Sequence, residues 1–172
     1  MLTGYEIERL VKKGTITIDP FNESNINPNS YNITLADTLK VYTNDVLDPK
    51  IDNPTKDVKI PEEGLILLPG NLYLGTTIEN TGCSDYVMCI DGRSSLARLG
   101  MMVHLTAGFG DLGFRGHWTF EISVLHKLKI YPNMTIGQIY FEEVTGDIDR
   151  YYTGKYMFQE EATASRLYQE VK

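Results

Sequence analysis

Beyond residue 14 the chain almost loses helical periodicity, and this feature most constrains its fold. Short segments rich in β-branched and aromatic residues follow one another, separated by Gly, Pro, Asn and Asp: TITI, SYNITL, LKVYT, LILLPG, LYLGTTI, YVMCI, MMVHLTA, HWTFEISVL and IGQIYFEEV. Many short strands between turn residues are typical of a sandwich, barrel or jelly roll. We therefore predict an all-β, jelly-roll-like fold.

The first segment, LTGYEIERLVKKG, is the exception. Thr3 stands three residues before Glu6, apolar residues follow at helical spacing, and Gly14 comes directly after two lysines. This combination of a capping box and a terminal glycine predicts one short N-terminal helix.

Size and charge narrow the function classes. The 172 residues suffice for a single domain over residues 1–172, and 16 Lys and Arg against 23 Asp and Glu give a net charge of −7. That charge opposes binding to nucleic acid or an anionic membrane, although a local basic cluster can still hold a small anion. Because neither a secretory signal nor a membrane-length apolar run is apparent, we expect a cytoplasmic protein without nucleic-acid or membrane partners.

Cysteine and histidine spacing argues against zinc. Cys83 and Cys89 read as members of one continuous strand, too far apart to bridge each other. None of His104, His117 and His126 begins an H-x-E motif, and there is no C-x-x-C pair, so we expect structural histidines and no zinc.

Two polar stretches show neither the helical nor the strand periodicity of apolar residues. Residues 43–61 read as an excursion between strands, and the tail from about residue 150 to 172 is polar and weakly patterned. We expect this tail to become ordered with a nucleotide or a partner subunit.

The loop GRSSLARLG places two hydroxyls and two guanidiniums between Gly92 and Gly100. If Ser94 opens a helical turn that Gly100 closes, the free amides together with Arg93 and Ser95 form an anion site. An ordinary capped turn with solvated arginines fits the composition equally well.

The segment HWTFEISVL alternates along a strand, with Thr119, Glu121 and Ser123 on one face and four apolar residues on the other: Trp118, Phe120, Ile122 and Val124. Glu121 is thus either a solvated carboxylate or a general base aimed into a pocket. Periodicity alone does not choose between these.

Between these two segments, TAGFGDLGFRGH carries four glycines and Asp111 in a turn that joins two strands. Glycine allows backbone to approach a ligand closely. A hairpin loop in which Asp111 makes a local Asx bond is the alternative.

Taken in order, LTGYEIERLVKKGTITIDP, INPNSYNITL, GRSSLARLG, HLTAGFGDLGFRGHWTFEI, PNMTIGQIYFEEV and GKYMFQEEATASRLY resemble the dCTP deaminase family, which shares its fold with the trimeric dUTPases. The resemblance spans essentially the whole chain. It implies a distorted jelly-roll or dUTPase-like β-barrel, a homotrimer, and zinc-free deamination of dCTP to dUTP and ammonia in pyrimidine deoxynucleotide metabolism.

The resemblance also assigns catalytic roles. Glu121 takes a proton from water, Ser94 and the Ala107 carbonyl position that water, and Arg98 supports the developing charge. Asp111 aligns with the aspartate that dUTPases use to orient water for attack on a phosphate ester.

For the nucleotide, the resemblance implies a triphosphate that itself holds Mg²⁺, with no metal ligand from the protein. The residues expected to bind the substrate are Arg93, Ser95, Thr106, Gly108, Phe109, Gln138, Lys155, Tyr156 and Gln159. As partners we expect dCTP and dUTP, with dTTP as a feedback inhibitor.

The sequence departs from the common pattern of the family at three places. Gly108 stands where single-function members commonly have His, so TAGF resembles the bifunctional branch that also cleaves dUTP to dUMP and pyrophosphate in the same site. Gly110 replaces the usual aliphatic residue before Asp111, which predicts a looser loop. Glu160 and Glu161 put two acids in the tail where small residues are frequent.

Two alternative functions are also compatible with the sequence. A dUTP diphosphatase alone would explain the GRSSLA and glycine-rich segments, but it gives Glu121 no role, and the glycine-rich closing tail of dUTPases is absent. A non-catalytic, nucleotide-binding regulatory relative would not require Arg93, Ser94, Arg98 and Glu121 to be intact.

Overall fold

The computed structural model describes residues 1–171 and begins with the expected helix, α1 (Gly4–Lys13). The Thr3 side chain accepts a hydrogen bond from the Glu6 amide at 3.3 Å, and Gly14 ends the helix with a φ of 82°. Ile7 and Leu10 are buried against the strands. The helix prediction from the capping signals is confirmed.

The rest of the fold is built from short strands with one further α-helical turn, α2 (Ser94–Ala97). The strands are β1 (Ile16–Asp19), β2 (Tyr31–Tyr42), β3 (Thr55–Lys59), β4 (Leu65–Leu67), β5 (Tyr73–Cys83), β6 (Tyr86–Gly92), β7 (Met101–Met102), β8 (Phe109–Gly110), β9 (Arg115–Val124), β10 (Leu128–Ile130) and β11 (Thr135–Glu143). The strand pairs are antiparallel, which confirms the β-rich prediction.

The main sheet has the order β7-β9-β5-β2-β11-β6-β8, with β1 paired to β5 and β3 paired to β2, while β10 and β4 pair separately. One cluster of buried apolar side chains joins α1 to these strands. In β9 the predicted alternation holds: Trp118, Phe120, Ile122 and Val124 are buried, and Glu121 is half-buried on the opposite face. Glu121 is therefore carried by a strand whose other face is anchored in the core.

Three strand assignments from the sequence were wrong. SYNITL and LKVYT form one long strand, β2, because its successive parts pair with β11, β5 and β3. The excursion over residues 43–61 contains β3, which pairs with the end of β2. In MMVHLTA only β7 is a strand, because the Glu121 amide and carboxylate bind the chain at Val103 and Leu105 in place of a continued ladder.

The two cysteines do not share a continuous strand, contrary to expectation. β5 ends at Cys83 and β6 begins at Tyr86, so a turn at residues 84–85 separates the two strands. Both thiols are free and buried, and burial raises the pKa of each. Desolvation of a thiolate makes such cysteines chemically inert.

The tail packs along β9 in the structure. The His117 amide donates to the Gln159 carbonyl at 2.9 Å, the Phe158 amide donates to the Arg115 carbonyl at 2.8 Å, and Ala162 is buried. That nucleotide or a partner subunit governs the ordering of this tail stays a prediction, and Lys172, the last residue of the predicted domain, lies outside the described residues. Within residues 1–171 no helix is long and apolar enough to cross a membrane.

Candidate active site

Glu121 is fixed at one of its two carboxylate oxygens. Oε2 accepts a hydrogen bond from the Leu105 amide at 3.0 Å, and the Glu121 amide donates to the Val103 carbonyl at 2.9 Å. The segment before the glycine-rich turn is therefore bound to the middle of β9. This arrangement leaves Oε1 as the carboxylate oxygen available to a water molecule or a ligand.

Glu121 lines a cavity of about 600 Å³, here called the Glu121 cavity. Six other residues predicted to form the site line the same cavity: Thr106, Ala107, Phe109, Asp111, Tyr156 and Gln159. They come from the segment after β7, from β8 and the turn after it, and from the tail. A volume of this size is in the range of small-molecule sites.

An aromatic wall in the Glu121 cavity was not predicted as part of the site. Phe114 lies 5.3 Å from Trp118 and 5.9 Å from Tyr152 between ring centroids, and all three rings line the cavity. Alternation had placed Trp118 in the core, which is correct because it is 7% exposed. Tyr152 belongs to the polar tail and gave no local signal. Because Phe114 and Trp118 are each only 7% exposed, they contribute little open ring surface to the cavity.

Asp111 lies in the turn between β8 and β9. Its carbonyl accepts from the Phe114 amide at 3.1 Å, and Gly113 has a φ of 83°, which glycine adopts without strain. At Gly110 a Cβ atom would lie 2.8 Å from the Trp118 ring. Glycine at this position lets the loop pack on Trp118, so the expectation of a looser loop is not supported.

A second cavity, of about 720 Å³, contains Ser94 and is called the Ser94 cavity. Arg93, Ser95 and Gln138 line it, as do Asn27 and Asn32. The two asparagines were not predicted, because nothing in their local sequence distinguishes them from loop residues. α2 opens at Ser94 and Gly100 follows it with a φ of 81°, as the loop sequence indicated.

The two predicted halves of the site line different cavities of one chain. Ser94 and Glu121 are not in a common cavity, and the two cavities meet at Leu105, which lines both. Arg98 is exposed and lines neither cavity. Gly108 also lines neither, because it packs on His104: a Cβ at residue 108 would lie 3.1 Å from the imidazole Cε1.

The tail residues are engaged within the chain. Gln159 Nε2 donates to the His117 carbonyl at 2.6 Å. Lys155 forms an ion pair with Glu170, whose carboxylate raises the pKa of the lysine, and the ammonium lies 5.4 Å from the centre of the Tyr156 ring. A phosphate contact by Lys155 would therefore require exchange of Glu170 for the nucleotide.

The two tail glutamates differ in their surroundings. Lys40 Nζ lies 2.8 Å from Asp57 Oδ1 and 3.4 Å from Glu161 Oε2, and hydrogen bonding to Asp57 chiefly raises the pKa of Lys40. Glu161 thus contacts β2 next to Ala162, the buried residue of the tail. Glu160 is exposed.

The described residues contain no group of three or more His, Cys, Asp or Glu side chains arranged to hold a metal ion. The expectation that magnesium arrives with the triphosphate, and that zinc takes no part, stays a prediction. The assignment of individual site residues likewise stays a prediction.

Most of the chain is similar to known proteins. Residues 1–144 match the family model described as dCTP deaminase-like. Proteins named "dCTP deaminase, dUMP-forming" from Clostridium beijerinckii and Leptospira biflexa are each 50% identical, over 170 and 171 residues, and cover 99% of this chain and 98% and 97% of their own lengths. One from Cytophaga hutchinsonii is 46% identical over 171 residues.

A solved structure of 2'-deoxycytidine 5'-triphosphate deaminase from Agrobacterium tumefaciens has a similar fold, with a TM-score of 0.64 at 17% sequence identity. The match covers 83% of this chain and 48% of that one. This chain therefore corresponds to about half of the larger protein.

The relatives that are about half identical correct the function expected from the sequence. The sequence predicted deamination of dCTP to dUTP as the main reaction, with cleavage of dUTP only as an optional later reaction. This prediction was wrong, because these relatives are named for forming dUMP. The family match over residues 1–144 and the half-identical, nearly full-length relatives together show that the chain belongs to the dCTP deaminase-like family.

Proposed function

We propose that this protein is an enzyme that converts dCTP to dUMP, releasing ammonia and pyrophosphate. The observation that carries the proposal is the carboxylate of Glu121, bound at Oε2 by the Leu105 amide and facing a cavity with aromatic walls. Relatives that are about half identical over nearly the full chain and are named "dCTP deaminase, dUMP-forming" support the choice of substrate and product.

Deamination requires a nucleophile at neutral pH. In the proposed reaction Glu121 Oε1 accepts a proton from water as the water oxygen bonds to C4 of the cytosine ring. The carboxyl group then returns the proton to the exocyclic nitrogen, the C4–N bond breaks, and ammonia leaves. Ala107, in the same cavity, offers its carbonyl to orient the water, and a fixed geometry of this kind lowers the barrier.

Formation of dUMP consumes a second water molecule. It adds at a phosphorus atom, the bond between the α- and β-phosphates breaks, and pyrophosphate departs. Asp111 lines the same cavity as Glu121 and is the residue we assign to orienting this water. Arg93, Ser95 and Gln138 are assigned to the phosphates, and Mg²⁺ carried by the triphosphate would neutralise part of its charge.

Assembly of the complete site from more than one copy forms part of the proposal. Ser94 and Glu121 line separate cavities. Leu99 and Leu125 are 53% and 65% exposed, and they lie in or next to residues 92–100, here called the Ser94 loop. Burying such side chains against another copy is favourable. We propose a homotrimer of jelly-roll-like subunits, in which the Ser94 loop of one copy faces Glu121 of another.

The product assay tests the function directly. Purified protein is incubated with Mg²⁺ and dCTP, and nucleotides, ammonia and pyrophosphate are quantified over time. We expect dUMP, with ammonia and pyrophosphate released in equal amounts. Unchanged dCTP, or dUTP as the end product, would overturn the proposal, and cleavage of added dUTP alongside untouched dCTP would identify a diphosphatase.

A further inference from the structure

A chain of hydrogen bonds connects the loop before β2 to Gln138 in β11. Asn27 Nδ2 donates to Ser30 Oγ at 3.1 Å and to Asn32 Oδ1 at 2.9 Å. Ser30 Oγ donates to Gln138 Oε1 at 2.9 Å, and Gln138 Nε2 donates to the Gly92 carbonyl at 3.2 Å. Ser30 is only 5% exposed, so its hydroxyl has little access to solvent.

The Gly92 carbonyl determines the direction of every bond in this chain. A carbonyl can only accept, so the Gln138 atom next to it must be the nitrogen, and Oε1 must face Ser30. Ser30 has a single proton, which it donates to Oε1. Its oxygen must then accept from Asn27, whose amide is oriented in turn.

Fixing the amide in this orientation leaves a donor for a ligand. Gln138 Nε2 carries two N–H groups and donates one of them to the Gly92 carbonyl. Gln138 also lines the Ser94 cavity, together with Arg93 and Ser95. In the reversed orientation the amide oxygen would face the Gly92 carbonyl, and any phosphate oxygen near that end of the side chain would meet an acceptor. The orientation therefore decides whether Gln138 attracts or repels an anion.

We propose that Ser30 is a positioning residue, which holds the Gln138 amide as a hydrogen-bond donor to a phosphate oxygen of the nucleotide. The inference rests on the proposed function, since it takes a nucleoside triphosphate as the ligand of the Ser94 cavity. Ser30 acts through Gln138 and does not touch the reacting atoms.

Ser30→Ala tests this proposal. Without the hydroxyl, Oε1 of Gln138 loses its donor and the amide is free to reverse. We expect the KM for dCTP with Mg²⁺ to rise about tenfold, the scale of one hydrogen bond to a charged acceptor, with kcat unchanged within about twofold. The Kd for dCTP, measured by calorimetry in a Glu121→Gln background, should rise by the same factor.

A double-mutant cycle separates positioning from general damage. Gln138→Ala should raise KM on its own, and adding Ser30→Ala should raise it no further, because the residue through which Ser30 acts is gone. Ser84→Ala, at an exposed serine in the turn between β5 and β6, is the matched control and should leave KM unchanged. If Ser30→Ala lowers the unfolding midpoint too far, Ser30→Cys, similar in size with a weaker donor, should give a smaller rise in KM.

Additive effects of Ser30→Ala and Gln138→Ala on KM, or a loss confined to kcat, would overturn the role assigned to Ser30. In that case dUMP formation by the unsubstituted protein would still support the proposed function. Conversely, if the unsubstituted protein binds dCTP without converting it and the two substitutions are non-additive in Kd, the proposed reaction is wrong and the role of Ser30 stands.

Discussion

At the scale of single residues, one carboxylate oxygen of Glu121 is held by a hydrogen bond and the other is free to accept a proton. Glu121→Gln should keep the hydrogen bond and remove the proton acceptor. The amide oxygen of Gln can still accept from the Leu105 amide, but the side chain can no longer take a proton from water. We expect ammonia release to fall by at least about 100-fold, with dCTP affinity changed less than about threefold. Ammonia assays and calorimetry check this, with Glu143→Gln at the exposed end of β11 as control. A variant that still releases ammonia at the original rate would show that another group is the base.

Asp111 shares the cavity with Glu121 but is assigned to a different bond. Asp111→Asn should lower pyrophosphate release by about 10- to 100-fold while slowing ammonia release much less, because only the water that attacks phosphorus loses its orienting carboxylate. Measuring both products from one incubation gives their ratio directly. Asp85→Asn, in the exposed turn between β5 and β6, should leave the ratio at one. Equal losses of both products would mean that Asp111 serves substrate binding in general.

At the scale of elements, the docking of the tail on β9 depends on Gly116. Its φ is 148°, and a Cβ there would lie 3.1 Å from both the amide nitrogen and the carbonyl oxygen of Gln159. Gly116→Ala should therefore displace the tail at a cost of about 1–3 kcal/mol, raise the KM for dCTP, and speed proteolysis of residues 150–171. Gly70→Ala is matched in having positive φ, but has nothing within 4 Å of the added atom. Similar proteolysis of both variants would argue against this contact.

The elements also show how far the sequence can be used for prediction. α1 was predictable because its capping signals are local, and the buried face of β9 was predictable because strand alternation is local. The end of β7 was not, since a side chain sixteen residues later replaces the expected ladder at Leu105. The alternation of apolar and polar residues likewise did not show whether the Glu121 side chain faces solvent or a pocket. Its place in the cavity results from long-range pairing and from the tail, neither of which leaves a local pattern.

At the scale of the whole molecule, one buried carboxyl group links stability to pH. Glu79 is 3% exposed, and its carboxylate accepts from the Thr34 amide at 2.8 Å and from the Thr34 hydroxyl at 2.9 Å. Burial nevertheless raises the pKa of Glu79 above its ordinary value of 4.5. The folded state then holds this proton more tightly than the unfolded chain does. The tighter binding of this proton contributes fully to stability below pH 4.5, and its contribution is lost as pH rises through the pKa of Glu79 in the folded state.

Glu79→Gln removes this titration. The free energy of unfolding of the variant should increase relative to that of the unsubstituted protein as pH rises from about 4 to 8, because only the unsubstituted protein loses stability over this range. Urea unfolding at several pH values measures the difference. Glu62→Gln, at an exposed position, should show no such trend. A difference that is flat with pH would mean that burial does not perturb Glu79.

The placement of Ser94 and Glu121 in separate cavities has a genetic consequence. If each working site takes its Ser94 loop from one copy and its Glu121 from another, as proposed, then Ser94→Ala and Glu121→Gln chains can rescue each other. Each variant alone should be inactive, but the two refolded together in equal amounts should regain activity at about a quarter of the sites by random assortment around a ring. Intragenic complementation of this kind would be impossible for an enzyme whose site lies within a single chain, so a mixture that stays inactive would refute the shared site.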